Sequence, residues 1–268
     1  LFAPSRHTTL PTAYIRRRRR CPVLAVAGGK GGSGKTTTTV GLARALARRG
    51  ASVVAADADW DLPNLAAMAS ETADSFAEPR RLSGRRTEAT DGPAQSPAPP
   101  DPGDRTILDV TAGRDGTPLG RSIPTYLDAP NPGSDVEPKH TFETLDALVS
   151  SSSPLLVDCP AGVSPDAAAP LRAADRCVLV TPLRRAALYD AVKTAAFARR
   201  LDCPPVGAIV VRTESVPGTV ESLLECPVLG HVPARPPAPL SARSVQSAYD
   251  VIARRLCGTY GDDQWRVA

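Results

Sequence analysis

A glycine-rich segment at residues 28–39 contains the residues with the clearest chemical purpose. It includes the pattern Gly-x-x-x-x-Gly-Lys-Thr, ending at Thr36, which is the spacing of a phosphate-binding loop (P-loop). An apolar run at 23–27 precedes it and a helix-forming stretch at 40–49 follows, as this motif requires. Backbone N–H groups would converge on phosphate oxygens, while Lys35 reaches the β- and γ-phosphates and Thr36 binds Mg²⁺.

The same loop contains a second lysine, Lys30. Lysine occurs only at positions 30, 35, 139 and 193, and the other Lys/Arg positions are all arginine. Half of the lysines therefore lie within six consecutive residues. A compact ammonium suits close approach to phosphate better than a broad guanidinium does, so both loop lysines are predicted to contact phosphate.

Acidic and glycine residues follow two other predicted strands. Asp57 and Asp59 end an apolar stretch, with Asn64 five residues further on, and Asp158 ends a second stretch that leads to Gly162. In a doubly wound parallel sheet, ligands bind beyond the carboxyl ends of the strands. The two segments should therefore meet the P-loop at one edge of the sheet, where carboxylates could hold Mg²⁺ through its waters.

Together these motifs resemble the MinD/ParA family of deviant Walker A P-loop ATPases, and MinD-like members in particular. Lys30 matches the extra lysine of that loop, residues 57–64 resemble switch I, and 155–162 resemble the Walker B strand and switch II. Residues 174–182 look like the strand that follows. The resemblance covers 22–68 and about 154–257. It implies a three-layer α/β P-loop NTPase fold, with a mostly parallel sheet and helices on both faces.

The resemblance also implies an activity and roles for individual residues. The expected activity is slow Mg²⁺-dependent ATP hydrolysis, with ATP-driven homodimerisation that controls the position or partitioning of a cellular cargo. Lys30 would reach the nucleotide of a second protomer, and Asp59 would orient the attacking water. The catalytic residues are thus Lys30, Lys35 and Asp59; the metal residues are Thr36, Asp57 and Asp158; and the nucleotide-binding residues are Gly29, Lys30, Gly31, Gly32, Ser33, Gly34, Lys35, Thr36, Thr37, Asn64, Gly162, Arg212 and Pro233.

The base-binding side is less regular than the phosphate side. ATP is expected rather than GTP because neither Lys139 nor Lys193 belongs to an Asn/Thr-Lys-x-Asp guanine motif. Many relatives have an asparagine before the basic residue that ends the sixth strand, but Val211 stands before Arg212 here. The adenine contacts therefore remain open.

Hydrophobic patterning predicts one nucleotide-binding domain over residues 22–257. A basic tail at 1–21 and a short tail at 258–268 flank it, and a proline-rich insert at 70–106 is expected to be disordered. Predicted strands lie at 23–27, 53–56, 155–157, 178–180, 206–211 and 228–232, with weaker candidates at 107–112 and 125–128; predicted helices lie at 35–49, 141–150, 184–201 and 241–257.

The charge of the chain is unevenly distributed. The net charge is +4, but residues 1–20 hold six arginines and no acid, which leaves the rest of the chain at −2. The run at Arg16–Arg20 could contact DNA or anionic lipid, or be a solvated leader.

The six cysteines form no Cys-x-x-Cys pair, so we expect reduced thiols in a cytoplasmic protein. Association with the membrane or nucleoid periphery stays open, as does the identity of an activating or cargo protein.

Two other functions fit the same motifs. One is a nucleotide-sensing adaptor that binds ATP with little hydrolysis. The other is an ATPase for cofactor or metallocluster assembly, although a cluster carrier would need paired cysteines. Hydrolysis measured on an Asp59 variant separates the switch from the adaptor, and bound iron would favour the assembly enzyme.

Overall fold

The computed structural model describes residues 22–73, 124–129 and 153–260. Its seven described strands form one sheet in which every pairing is parallel. The strands are β1 (Val23–Ala27), β2 (Val54–Asp57), β3 (Thr125–Leu127), β4 (Leu155–Asp158), β5 (Arg176–Pro182), β6 (Pro205–Val211) and β7 (Val228–Val232). Their order is β3-β2-β4-β1-β5-β6-β7, so β1 and the loop that follows it lie at the centre.

Helices cover both faces of this sheet, because alternate residues of its strands face opposite sides and both sides are apolar. The helices are α1 (Lys35–Arg48), α2 (Leu65–Ala73), α3 (Pro165–Ala173), α4 (Arg185–Arg200), α5 (Thr219–Leu224) and α6 (Arg243–Tyr260). One core cluster includes side chains of β1, α1, α2 and α6, and the other includes those of β1, α3, α4 and α5. This arrangement confirms the predicted three-layer α/β fold.

The bounds of α1 follow from the glycines at its two ends. Gly34 is its N-cap in a left-handed conformation, with φ of 95°. Gly50, with φ of 88°, follows the C-cap, and its N–H donates to the Ala47 carbonyl at 2.8 Å. The P-loop therefore passes directly into a helix N-terminus.

The predicted strands at 23–27, 125–128, 206–211 and 228–232 are confirmed to within one residue. β5 is longer than predicted, and helices α2, α3 and α5 were not predicted. Helix α2 continues through residues 70–73 and α6 continues through 258–260, while the domain limits stay predictions. The tail at 1–21, the insert from residue 74 onward and the elements predicted at 107–112 and 141–150 lie outside the described residues.

Five cysteines lie in the described part of the chain, and all are buried and outside any disulfide: Cys159, Cys177, Cys203, Cys226 and Cys257. They pack as small apolar side chains. Among the described helices, none has the length and apolar character needed to cross a bilayer.

Close packing of α6 against α1 gives a first prediction. A Cβ at Gly41 would lie 2.3 Å from the Tyr249 ring, which is fully buried. Gly41→Ala should therefore destabilise the protein by about 1–3 kcal/mol through overpacking, although alanine favours helix. Gly258→Ala, at a helix position with open space around it, should be neutral or stabilising by up to about 1 kcal/mol. Urea denaturation measures both, and equal effects would contradict the packing argument.

Candidate functional site

The P-loop connects β1 to α1 and has two separate requirements for glycine. Gly32 and Gly34 have φ of 70° and 95°, where a side chain would be strained. Gly28 and Gly29 are needed because of close contacts. A Cβ on Gly28 would lie 2.7 Å from the Val180 carbonyl oxygen, and one on Gly29 would lie 2.3 Å from the Asp190 Cβ. The loop is thus held between β5 and α4, with the N-terminus of α1 behind it.

The two lysines of this loop have different surroundings. Lys35 is 8% exposed, and its Nζ lies 3.5 Å from the Lys30 carbonyl oxygen within the loop. The Lys30 side chain is 62% exposed, and its Nζ forms an ion pair with Asp190 of α4 at 3.0 Å. Lys30 lowers the pKa of the Asp190 carboxyl, and Lys193 adds to the effect. The Lys35 side chain therefore faces its own loop, while the Lys30 side chain lies on the outer side of the loop, toward solvent and α4.

Asp57 and Asp158 end adjacent strands and stand opposite each other in the β2–β4 register. Both are buried, at 0% and 2% exposure. The Thr39 hydroxyl donates to Asp158 Oδ1 at 3.1 Å, and Thr36 also hydrogen-bonds this carboxylate. Two buried carboxylates beside hydroxyl groups form an oxygen-rich set of donors, which is what Mg²⁺ requires.

Burial shifts the ionisation of this pair. Desolvation, with a further contribution from the Asp57 charge, raises the pKa of Asp158 to about 7, against the opposing effects of Thr36, Lys35 and Thr39. Desolvation likewise raises the pKa of Asp57 to about 6, although three backbone N–H groups lower it. Both carboxylates thus lack sufficient compensation for their charge, and a cation between them would supply it.

Asp57 also organises the segment that follows it. Its Oδ1 accepts the Asp59 N–H at 2.9 Å, and its Oδ2 accepts the N–H groups of Asn64 and Leu65 at 2.8 and 3.0 Å. These bonds cap the N-terminus of α2. Asp59 is partly exposed and accepts the Leu62 N–H at 3.3 Å. One buried carboxylate therefore anchors the whole segment that carries Asp59 and Asn64.

The loop after β4 lies against the P-loop. The Gly162 N–H donates to the Gly28 carbonyl at 3.1 Å, and Gly162 has φ of 86°. A Cβ at this position would be 3.8 Å from the Gly29 carbonyl oxygen. Gly162 is therefore required mainly for its backbone conformation, which allows this loop to hydrogen-bond the P-loop.

A cavity of about 340 Å³ lies on the α1 side of the P-loop, where a base could bind. It is bordered by Gly34, Thr37, Arg212 and Pro233, among others, and none of the described residues that line it has a carboxylate or amide side chain. Arg212 donates to the Gly32 carbonyl and so connects the end of β6 to the P-loop. The predicted Arg212 and Pro233 thus lie beside this cavity together.

The structure brings the predicted P-loop, switch and strand-end residues to one edge of the sheet. Sequence reasoning missed two contributors, Thr39 and Asp190. Thr39 could have been found, because it lies one helical turn beyond Thr36 on the same face of α1. Asp190 carries no sequence signal, because it meets Lys30 only through tertiary packing.

Comparison with known proteins agrees with this geometry. The model of the CobQ/CobB/MinD/ParA nucleotide-binding domain matches residues 24–247. The chain is 32% identical over 222 residues to an uncharacterised ATP-binding protein of Methanocaldococcus jannaschii, covering 80% of this chain and 74% of that protein. It is 27% identical over 246 residues to the septum site-determining protein MinD of Synechocystis, covering 90% and 76%.

The solved structure of MinD from Pyrococcus horikoshii, complexed with Mg-ADP, has the same fold. Its TM-score is 0.68 at 20% identity, covering 91% of this chain and 98% of that one. With its P-loop, its parallel sheet and the matched domain over 24–247, this chain belongs to the CobQ/CobB/MinD/ParA family of nucleotide-binding proteins.

Proposed function

We propose that this protein is a Mg²⁺-dependent ATPase switch of MinD/ParA type, acting in the cytoplasm. ATP closes a homodimer and slow hydrolysis opens it, so that an activating or cargo protein is positioned or released. The observation that carries the proposal is the division between the two loop lysines. Lys35 is buried against its own loop, and Lys30 lies on the exposed outer side, where a second subunit could present its nucleotide.

The donor set supports Mg²⁺ as the cation. Thr36, Asp57 and Asp158 would hold it, directly or through waters, and the raised pKa values of the two carboxyls indicate that a cation suits this position. When bound, Mg²⁺ supplies positive charge toward the phosphate oxygens. The Mg-ADP bound to the Pyrococcus horikoshii relative is consistent with this assignment.

Individual residues of the chain then have separate roles in phosphoryl transfer. Lys35 and the N-terminus of α1 neutralise charge on the triphosphate of their own subunit. Asp59 orients the attacking water and accepts its hydrogen bond. Lys30 of a second subunit stabilises the negative charge that builds up on the γ-phosphoryl and bridging oxygens. Hydrolysis then depends on the dimer, because one cation must come from the neighbour.

Asp59→Asn tests hydrolysis separately from binding. The amide keeps an acceptor for the Leu62 N–H but cannot hold water as a carboxylate does. ATP affinity should stay within about threefold of wild type, while the single-turnover rate falls by roughly 10²-fold or more. Binding is measured with a fluorescent ATP analogue, and turnover by phosphate release.

Asp61→Asn is the matched control, because Asp61 is an exposed carboxylate in the same loop. It should hydrolyse ATP at the wild-type rate. A wild-type protein that turns over no faster than Asp59→Asn would refute the switch and favour the ATP-sensing adaptor. Iron in the purified protein would instead favour the assembly enzyme.

A further inference from the structure

A second cavity, of about 260 Å³, lies on the outer side of the P-loop. Its walls are the loop at residues 29–33, the end of β5 and the first turn of α4. Lys35, Thr36, Asp57 and Asp158 do not line it. The cavity therefore shares the P-loop backbone with the predicted nucleotide site but lies apart from the lysine, the hydroxyl and the carboxylates predicted for the γ-phosphate and Mg²⁺ of the same subunit.

The lining of this cavity is basic. Among the residues that the structure describes, three cationic side chains border it, those of Lys30, Arg184 and Arg212, and no acidic one does. α4 begins directly after Arg184 and has no acid in its first turn, so its N-terminus adds partial positive charge. Ser33 also lines the cavity, and its buried hydroxyl has no hydrogen-bond partner in the described part of the chain. These features suit an anion.

The three cations are not equally available to a ligand. Lys30 is paired with Asp190, and Arg212 donates to a P-loop carbonyl. Arg184 is exposed, and among the described residues it forms no ion pair. Its guanidinium is therefore the least compensated of these three cations, and its planar fork can bind phosphate oxygens in pairs.

We infer that Arg184 is a second cation for the nucleotide of the neighbouring subunit, binding its phosphates beside Lys30. The inference rests on the proposed ATP-driven homodimer. A polyphosphate carries more charge than one lysine can neutralise, and Arg184 shares a cavity with that lysine. Without nucleotide, this basic surface would repel its symmetry mate; bound phosphate removes the repulsion, so that dimer formation requires ATP.

The test compares Arg184→Ala with Arg185→Ala. Arg185 is also exposed, but it lies over the Tyr189 ring at 5.7 Å and does not line the cavity. Both variants are made in the Asp59→Asn protein, so that ATP is not consumed. Sedimentation with ATP and Mg²⁺ gives the dimer dissociation constant, and a fluorescent ATP analogue gives the monomer affinity.

Arg184→Ala should weaken the ATP-dependent dimer by roughly 10–100-fold, the scale of a charge-assisted contact. ATP affinity of the monomer should stay within about twofold, and Arg184→Lys should recover part of the loss. Arg185→Ala should dimerise like its parent. Unchanged thermal denaturation shows that each variant is folded.

Two results would overturn this inference alone: a normal dimer of Arg184→Ala, or an equal loss in Arg185→Ala. If Arg184→Ala dimerises normally but no longer binds polyglutamate that its parent binds, the cavity would be assigned to an acidic peptide instead. If the Arg184-intact Asp59→Asn parent stays monomeric with ATP, the proposed function itself fails. The parent protein therefore distinguishes the two failures.

Discussion

Lys35→Ala should lower the affinity for ATP by roughly 100-fold or more, whereas Lys30→Ala should bind ATP within about threefold of wild type. The difference follows from their positions in one loop. Lys35 is 8% exposed at the start of α1, and in the proposed function its ammonium binds the triphosphate of its own subunit. Removing it leaves phosphate charge without its main partner.

The consequence for Lys30 should be seen in assembly rather than in binding. Lys30→Ala should remain monomeric with ATP and Mg²⁺, because under the proposed function it lacks the cation that binds the nucleotide of the neighbouring subunit. Asp190 keeps a partner in this variant, since Lys193 lies 3.4 Å away, so local stability should change little. Equilibrium binding and size-exclusion chromatography with ATP separate the two effects. An ATP-driven dimer of Lys30→Ala would refute its role across the interface.

Asp158→Asn should stabilise the metal-free and nucleotide-free protein by about 2–4 kcal/mol at pH 7.5. The Asp158 pKa rises from 3.8 to about 7 on folding, so the unfolded chain releases its proton at lower pH. Between pH 4 and 7 the folded state binds more protons than the unfolded state does, so the free energy of unfolding falls as pH rises. Above pH 7 this loss is complete. Asparagine has no such proton, so the variant avoids the loss.

Urea denaturation at pH 4.5, 6 and 7.5 measures this effect, with Asp61→Asn as an exposed control. The difference in free energy of unfolding between Asp158→Asn and wild type should shrink toward pH 4.5. The control should show no comparable difference. Mg²⁺ with nucleotide should stabilise wild type more than the variant, because only wild type has the carboxylate. A variant less stable than wild type at pH 7.5 would show that Asp158 is already compensated by its hydroxyl neighbours.

Several parts of the site could be predicted because they depend on short stretches of chain. The P-loop needs glycines, a lysine and a threonine in fixed order, and all lie between the end of β1 and the first turn of α1. Asp57 and Asp158 end apolar strands, and parallel strands bring such ends to one edge. Helix α3 was missed although Ser164 and Pro165 form a recognisable N-cap and N1 pair; Pro170 interrupts the pattern that follows.

The sequence by itself determined the P-loop motif, the strand ends and the α/β class, because these arise from backbone conformation and hydrophobic periodicity over a few residues. Only the tertiary structure decided that Asp57 caps α2, that Lys30 meets Asp190, and that Arg184 joins Lys30 in a basic cavity. Lys30 and Arg184 belong to segments far apart in the chain. They meet because β5 pairs directly with β1, and that strand order is set by packing of the whole sheet.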